Sequence, residues 1–246
     1  MNQSLIVMRN STIELERVNM IAIIGAMDEE VNALLQLMEN VRTESIGNVH
    51  FYHGTLNSKD VVLFKSGIGL SMAAMSTSIC LSHYSIEGVV NIGTAGGLKD
   101  NQQVLDIVVS DKITYHDFDI TPFGNTRDFS NQNRYVFNSN EHFVEKFKSQ
   151  NKDERVWIGP LVSGNQFIYN DEQVNIIAKH FPEALAVEME GAAIAHVCSE
   201  FKCPFIVIRS ISDLVKNPKN EMTFDEYLHK ASDRSAKFCF NFMNLI

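Results

Sequence analysis

Short apolar runs recur along the chain at residues 20–26, 61–66, 88–93, 106–111, 156–163, 184–188 and 204–211. They are rich in Val and Ile, and several are continuous rather than alternating, the pattern of strands covered on both faces. Between them the apolar positions take helical spacing, at 28–41, 70–84, 171–180, 189–201 and 224–243. Asn170 with Gln173, and Thr223 with Glu226, stand at capping-box spacing at two of the helix starts. Strands alternating with helices predict an α/β domain built in layers. The segment 121–139 is polar and Asn-rich, follows neither period, and reads as a flexible loop or a lid.

Ligands of such folds bind beyond the carboxyl ends of the parallel strands. The segments that follow the strands are "GAMDEE", "KSGIG", "GTAGG", "EMEGAA" and "RSISD", so glycines, small hydroxyls and acids gather where a site belongs. "SGIG" (66–69) and "GTAGG" (93–97) match neither G-x-G-x-x-G nor a Gly-Lys-Ser/Thr phosphate loop, which argues against dinucleotide and nucleoside-triphosphate binding. Spacing alone slightly favours tight strand-to-helix turns for both.

Three acids open the first helix: Asp28, Glu29 and Glu30. With Val31, Leu34, Leu35 and Met38 as the buried face, Glu29 points to solvent, while Asp28 and Glu30 lie on the two flanks. Periodicity sets Glu29 aside and does not choose between the other two, and all three also suit the positive end of a helix dipole. Glu190 forms an i, i+4, i+7, i+11 series with Ile194, Val197 and Phe201, which turns its carboxylate along an apolar stripe. A buried acid needs a partner, and a pair of sugar hydroxyls is one. Asp213 ends the apolar run "PFIVIRSISD". It reads evenly as a turn residue or as an acid of raised pKa.

The 246 residues, 45% hydrophobic, suffice for one large α/β domain. A net charge of -9 argues against binding to nucleic acid or an anionic membrane surface. Cys80, Cys198, Cys203 and Cys239 form no C-x-x-C pair and no zinc spacing, and each sits in an apolar stretch, as buried free thiols do. No apolar run has the length of a membrane span, and residues 1–19 lack the apolar core of a signal peptide, so a cytoplasmic location is expected. Residues 1–19 read as an N-terminal extension, from an upstream start or added in cloning, ahead of a single domain at 20–246.

The segments "IIGAMDEEV", "KSGIG", "NIGTAGGL", "DIVVSD", "YHDFDITPFG", "VSGNQFI", "AVEMEGAAIAHV" and "PFIVIRSISD" occur in this order. Together they resemble the bacterial 5′-methylthioadenosine/S-adenosylhomocysteine nucleosidases over residues 20–246. The resemblance implies a nucleoside-phosphorylase-like, three-layer αβα fold, a central twisted mixed sheet flanked by helices, in a homodimer. It implies hydrolysis of adenine nucleosides in methionine salvage and the recycling of S-adenosylmethionine by-products, without a metal or cofactor. It also implies roles. Glu30 activates water, Asp213 protonates adenine N7, and Glu190 holds the ribose hydroxyls with Met189 beside the sugar. Phe167 stacks on adenine and the Ile168 backbone reads its edge. Thr94 and Arg209 help place the water, and Met27, Ile68 and Phe224 line the 5′-alkylthio pocket. Ile120 and Phe123 reach into the partner's pocket. Thr94 stands where Ser is usual and keeps the hydroxyl, and Gly191 and Ser210 replace Ala or similar small residues. The chain is one residue longer between Asp213 and Phe224.

Such chemistry is sound in general terms. A proton shared at N7 turns adenine into a good leaving group, and carboxylates near the ribose stabilise oxocarbenium character. A thioether tail suits Met, Ile and Phe. Two rivals stand beside this reading. A phosphorylase on the same fold wants Arg or Lys near the Gly-rich turns, whereas here the turn after Gly25 carries Asp28, Glu29 and Glu30 and "GTAGGL" has no adjacent Arg. A nucleoside-binding protein without activity sits poorly with the presence of all three acids, Glu30, Glu190 and Asp213.

Overall fold

The structure is a computed structural model that describes residues 19–150, 155–215 and 224–246. In chain order its elements are β1 (Met20–Gly25), α1 (Asp28–Leu35), β2 (Glu39–Ile46), β3 (Val49–Leu56), β4 (Lys59–Lys65), α2 (Leu70–His83), β5 (Ile86–Gly97), β6 (Ile107–Tyr115), a 3-10 turn (Thr121–Phe123), β7 (Phe137–Asn138), α3 (Glu141–Gln150), β8 (Val156–Ser163), α4 (Asp171–His180), β9 (Ala186–Glu188), α5 (Gly191–Phe201), β10 (Phe205–Leu214) and α6 (Phe224–Phe242). The extension at 1–19, apart from Asn19, and the cap expected at Thr223 lie outside the described residues.

The strands form one mixed sheet in the order β10-β6-β8-β9-β5-β1-β4-β3-β2, with β7 paired to β6. β10 also pairs with β5, so β10, β6, β8, β9 and β5 close into a ring. β4, β1, β5 and β10 run parallel as neighbours, and alternate residues of β1 show why their sequences are apolar throughout. Ala22 and Ile24 join a core with Ala73 and Cys80 of α2 and Ala193 and Ile194 of α5. Ile21 and Ile23 join the opposite core with Val31 and Leu34 of α1 and Phe238 and Phe242 of α6. The mixed sheet flanked by helices matches the expectation, and a strand buried on both faces has no polar side to show. A third core gathers Ile168, Val174 and Ile177 with Phe129, Phe181 and Val187 beside the ring.

Several boundaries differ from the sequence reading. The helix expected over 28–41 ends at Leu35, and β2 begins at Glu39, with Asn40 at φ +56 where its register with β3 shifts. β2 is exposed along almost its whole length, so it carries no apolar period to detect. It pairs with β3 across Gly47 and Asn48, a two-residue hairpin loop. α3 also escaped the periodicity, although Asn140 caps it by accepting from the Phe143 amide at 3.0 Å and Phe143 and Phe147 are buried. The 121–139 segment holds the 3-10 turn and β7.

Candidate active site

The parallel strands β1, β5 and β10 end side by side, and their carboxyl ends floor a cleft with about 760 Å³ of atom-free space, open mouth included. That is room for a nucleoside-sized ligand. The lining contains Met27, Glu30, Ile68, Thr94, Phe167, Ile168, Met189, Glu190, Arg209 and Asp213, all singled out from the sequence. It also contains Gln166, Val187, Glu188 and Ser212, which were not. Ile120 and Phe123 lie outside this cleft, and Phe123 is 85% exposed. Phe224 opens α6, and its side chain lies outside the described residues.

Among the three acids of α1, burial separates the two that periodicity left level. Glu30 is buried, whereas Asp28 is exposed and paired with Lys65 at 2.8 Å. Glu29, expected in solvent, is partly covered. Glu30 occupies the third position of α1 and reaches back to accept from the Met27 amide at 3.2 Å and the Ala26 amide at 2.6 Å through Oε2. Its Oε1 accepts from the Thr94 amide at 3.1 Å. Burial pushes the Glu30 carboxyl up, opposed by the Arg209 charge and these three amides. A carboxylate so held is fixed in place and poised as a base.

"GTAGG" proves to be strand rather than turn. Gly93 to Gly97 pair with β10 as the end of β5. Gly93 makes room for the site, since a Cβ there would stand 2.7 Å from Glu30 Oε1, whereas one on Gly96 would meet Val215 Cγ2 at 2.6 Å. "SGIG" is a turn as expected, with Gly67 at φ +80 and Gly69 at φ +94.

Glu190 stands one residue before α5, at its N-cap, so the helical series does not set its direction, and Phe201 at the far end of that series is exposed. Its carboxylate is buried nonetheless, with Oε1 accepting from the Gly69 amide at 2.7 Å. Burial, with the Glu188 charge adding to it, pushes Glu190 up to about 8.

Glu188 is the acid that the sequence reading missed. Its Oε2 accepts from Arg209 at 2.7 Å, from the Glu190 amide at 3.0 Å and from the Gly191 amide at 2.8 Å, while the Ser163 hydroxyl donates to Oε1. Despite burial, Arg209 and these donors hold Glu188 below the usual range. Arg209 also donates to Asn91 Oδ1 at 2.5 Å, and Asn91 in turn donates to the Ile24 carbonyl at 3.0 Å. The signal was present in the alternation of "AVEME", where Glu188 and Glu190 flank Met189. Asp213 pairs with Gly96 within β10 rather than in a turn, and accepts from the Ser212 hydroxyl at 2.8 Å. Burial raises its pKa, with the Ser212 bond opposing.

Among the described residues no group of three His, Cys, Asp or Glu side chains is arranged to hold a metal ion, and no helix is long and apolar enough to cross a membrane. Cys80, Cys198 and Cys239 are buried free thiols, and Cys203 is partly exposed.

A mixed sheet with a carboxylate-lined cleft at its strand ends places the chain in a known class: residues 20–244 match the phosphorylase superfamily, and the chain belongs to it. The 5′-methylthioadenosine/S-adenosylhomocysteine nucleosidase of Staphylococcus haemolyticus is 40% identical over 219 residues, 88% of this chain and 96% of the relative. Within the superfamily the chain therefore belongs to the 5′-methylthioadenosine/S-adenosylhomocysteine nucleosidase family. The structure of the Neisseria meningitidis nucleosidase in complex with methylthio-immucillin-A superposes with a TM-score of 0.86 at 37% identity, covering 93% of this chain and 100% of that one. The Streptococcus pneumoniae nucleosidase with a transition-state inhibitor gives 0.84 at 36% identity, over 92% and 98%.

Proposed function

We propose that this chain hydrolyses the N-glycosidic bond of 5′-methylthioadenosine and S-adenosylhomocysteine, releasing adenine and the 5′-thioribose. Glu30 takes a proton from water, whose oxygen bonds to C1′ as the bond to N9 breaks. The electron pair leaves with adenine, and Asp213 delivers its proton to N7. Glu190 accepts from the ribose hydroxyls beside Met189, and Phe167 and the Ile168 backbone hold the base. Thr94 and Arg209 place the water, and Met27, Ile68 and Phe224 receive the tail. A second copy of the chain supplies Ile120 and Phe123 at the tail pocket, for which the exposure of Phe123 speaks. The four free cysteines suit a reducing cytoplasm.

One observation carries the reading: Glu30 is fixed by three backbone amides in the same cleft as Asp213, whose half-buried carboxyl is raised and so suited to hold a proton. It also weighs against the phosphorylase rival. Among the described residues Arg209 is the Lys or Arg of the cleft lining, and Glu188 and Asn91 already occupy it, while Glu30, Glu188, Glu190 and Asp213 line the same cleft. Adenine release from 5′-methylthioadenosine, S-adenosylhomocysteine and 5′-deoxyadenosine, compared with and without phosphate, tests the activity and ranks the substrates. A protein that binds these nucleosides and releases no adenine would instead be a binding module.

A further inference from the structure

α2 starts behind Gly69, which has no side chain to cap the helix. The caps arrive from elsewhere in the chain. Gly69 donates its amide to Glu190 Oε1 at 2.7 Å, and Leu70 donates its amide to Asn165 Oδ1 at 3.0 Å. Asn165 is anchored in turn, its own amide donating to Asp117 Oδ2 at 2.7 Å. The approach is close: a Cβ on Gly69, already at φ +94, would stand 3.2 Å from Asn165 Oδ1. The segments "SGIG", "YHDFD" and "VSGNQFI" thus meet at one residue, through the Asn165 side chain on one side and its backbone N–H on the other.

Asn165 does not line the cleft, but the residues on both sides of its bond lead there. Gln166, Phe167 and Ile168 follow it, and Ile68 stands two residues before Leu70. Phe167 and Ile68 are 54% and 58% exposed. We propose that Asn165 is a positioning residue that clips the purine wall of the cleft to its tail wall, setting the gap between Phe167 and Ile68. The inference rests on the nucleosidase reading for what occupies that gap. Misplaced walls weaken binding of ground state and transition state alike, which raises KM and leaves kcat in place.

The test uses the full chain with Asn165→Ala and Asn165→Asp, scored by adenine release from 5′-methylthioadenosine. Loss of the acceptor in Asn165→Ala is expected to raise KM about tenfold with kcat within about twofold of wild type. Asn165→Asp keeps an acceptor oxygen at a helix N-terminus and is expected to restore KM. A wild-type KM in Asn165→Ala, a fall in kcat at unchanged KM, or an Asp variant as impaired as the Ala variant would each overturn the proposal. If the wild-type chain releases no adenine, the nucleosidase reading fails by itself. Calorimetric binding of adenine to the same three proteins then decides the clip: affinity lost in Ala and regained in Asp supports it, and equal affinities overturn it.

Discussion

Arg209 donates to Glu188 at 2.7 Å with both side chains only 2% exposed, so the cleft is built around a buried ion pair. Taking one partner away leaves a buried charge unpaired, which costs about 3–5 kcal/mol. Glu188→Ala is expected to lose that much unfolding free energy in urea titrations. Asp28→Ala breaks the exposed pair with Lys65 and should stay within about 1 kcal/mol of wild type. Equal losses in the two variants would show that burial does not set the strength of these pairs.

Glu30→Gln and Asp213→Asn keep size and remove the proposed base and the proposed acid. Each is expected to slow adenine release by roughly 10²–10⁴-fold, the usual contribution of a positioned acid or base. Circular dichroism and melting temperature should remain those of the folded wild type. Turnover at the wild-type rate in either variant would remove that residue from the mechanism.

Gly93→Ala tests the same carboxylate from the other side. Its Cβ would meet Glu30 Oε1 at 2.7 Å, and the opposing group is a side chain pinned by three amides. The carboxylate must move, and a shift of about 1 Å at a reacting group costs on the order of 10²-fold in rate. kcat is the quantity to measure, and an unchanged kcat would mean that the position of Glu30 is not critical.

The pH dependence of stability follows from Glu190. Its folded pKa of about 8 lies above the ordinary 4.5, so between these values the folded state holds a proton that the unfolded state has released. The Glu190 contribution to stability is therefore full below about 4.5 and declines as pH rises toward 8. Burial shifts Glu30 and Asp213 in the same direction. Glu188, held below its ordinary value, is ionised in both states once the pH is well above 4.5 and adds no slope there. The rings of His53, His116 and His180, held below their ordinary range by burial, act in the opposite sense, so the comparison isolates Glu190: across pH 4.5–8 the melting temperature of the ligand-free protein should fall relative to that of Glu190→Gln. The same slope in both proteins would contradict a raised Glu190.

Much of this was legible in the sequence where burial leaves a pattern. Strands such as β1 and β10 are covered on both faces and read as apolar runs, and the residues behind them proved to line the cleft. β2 was lost because an exposed edge strand has no apolar period. Asp28 and Glu30 could not be separated because helical phase gives direction but not depth. The depth comes from Gly25 and Gly93, which let Glu30 tuck between β1 and β5. Glu188 was missed because its side-chain partners Ser163 and Arg209 come from two other strands, β8 and β10, a convergence that the closed ring of the sheet creates.

The central claim is that water, activated by Glu30, is the nucleophile. Turnover of 5′-methylthioadenosine in phosphate-free buffer made with oxygen-18 water, followed by mass spectrometry, tests it most directly. The predicted result is adenine in equal amount with 5-methylthioribose carrying one heavy oxygen at C1. Release that requires phosphate and yields 5-methylthioribose 1-phosphate would contradict it.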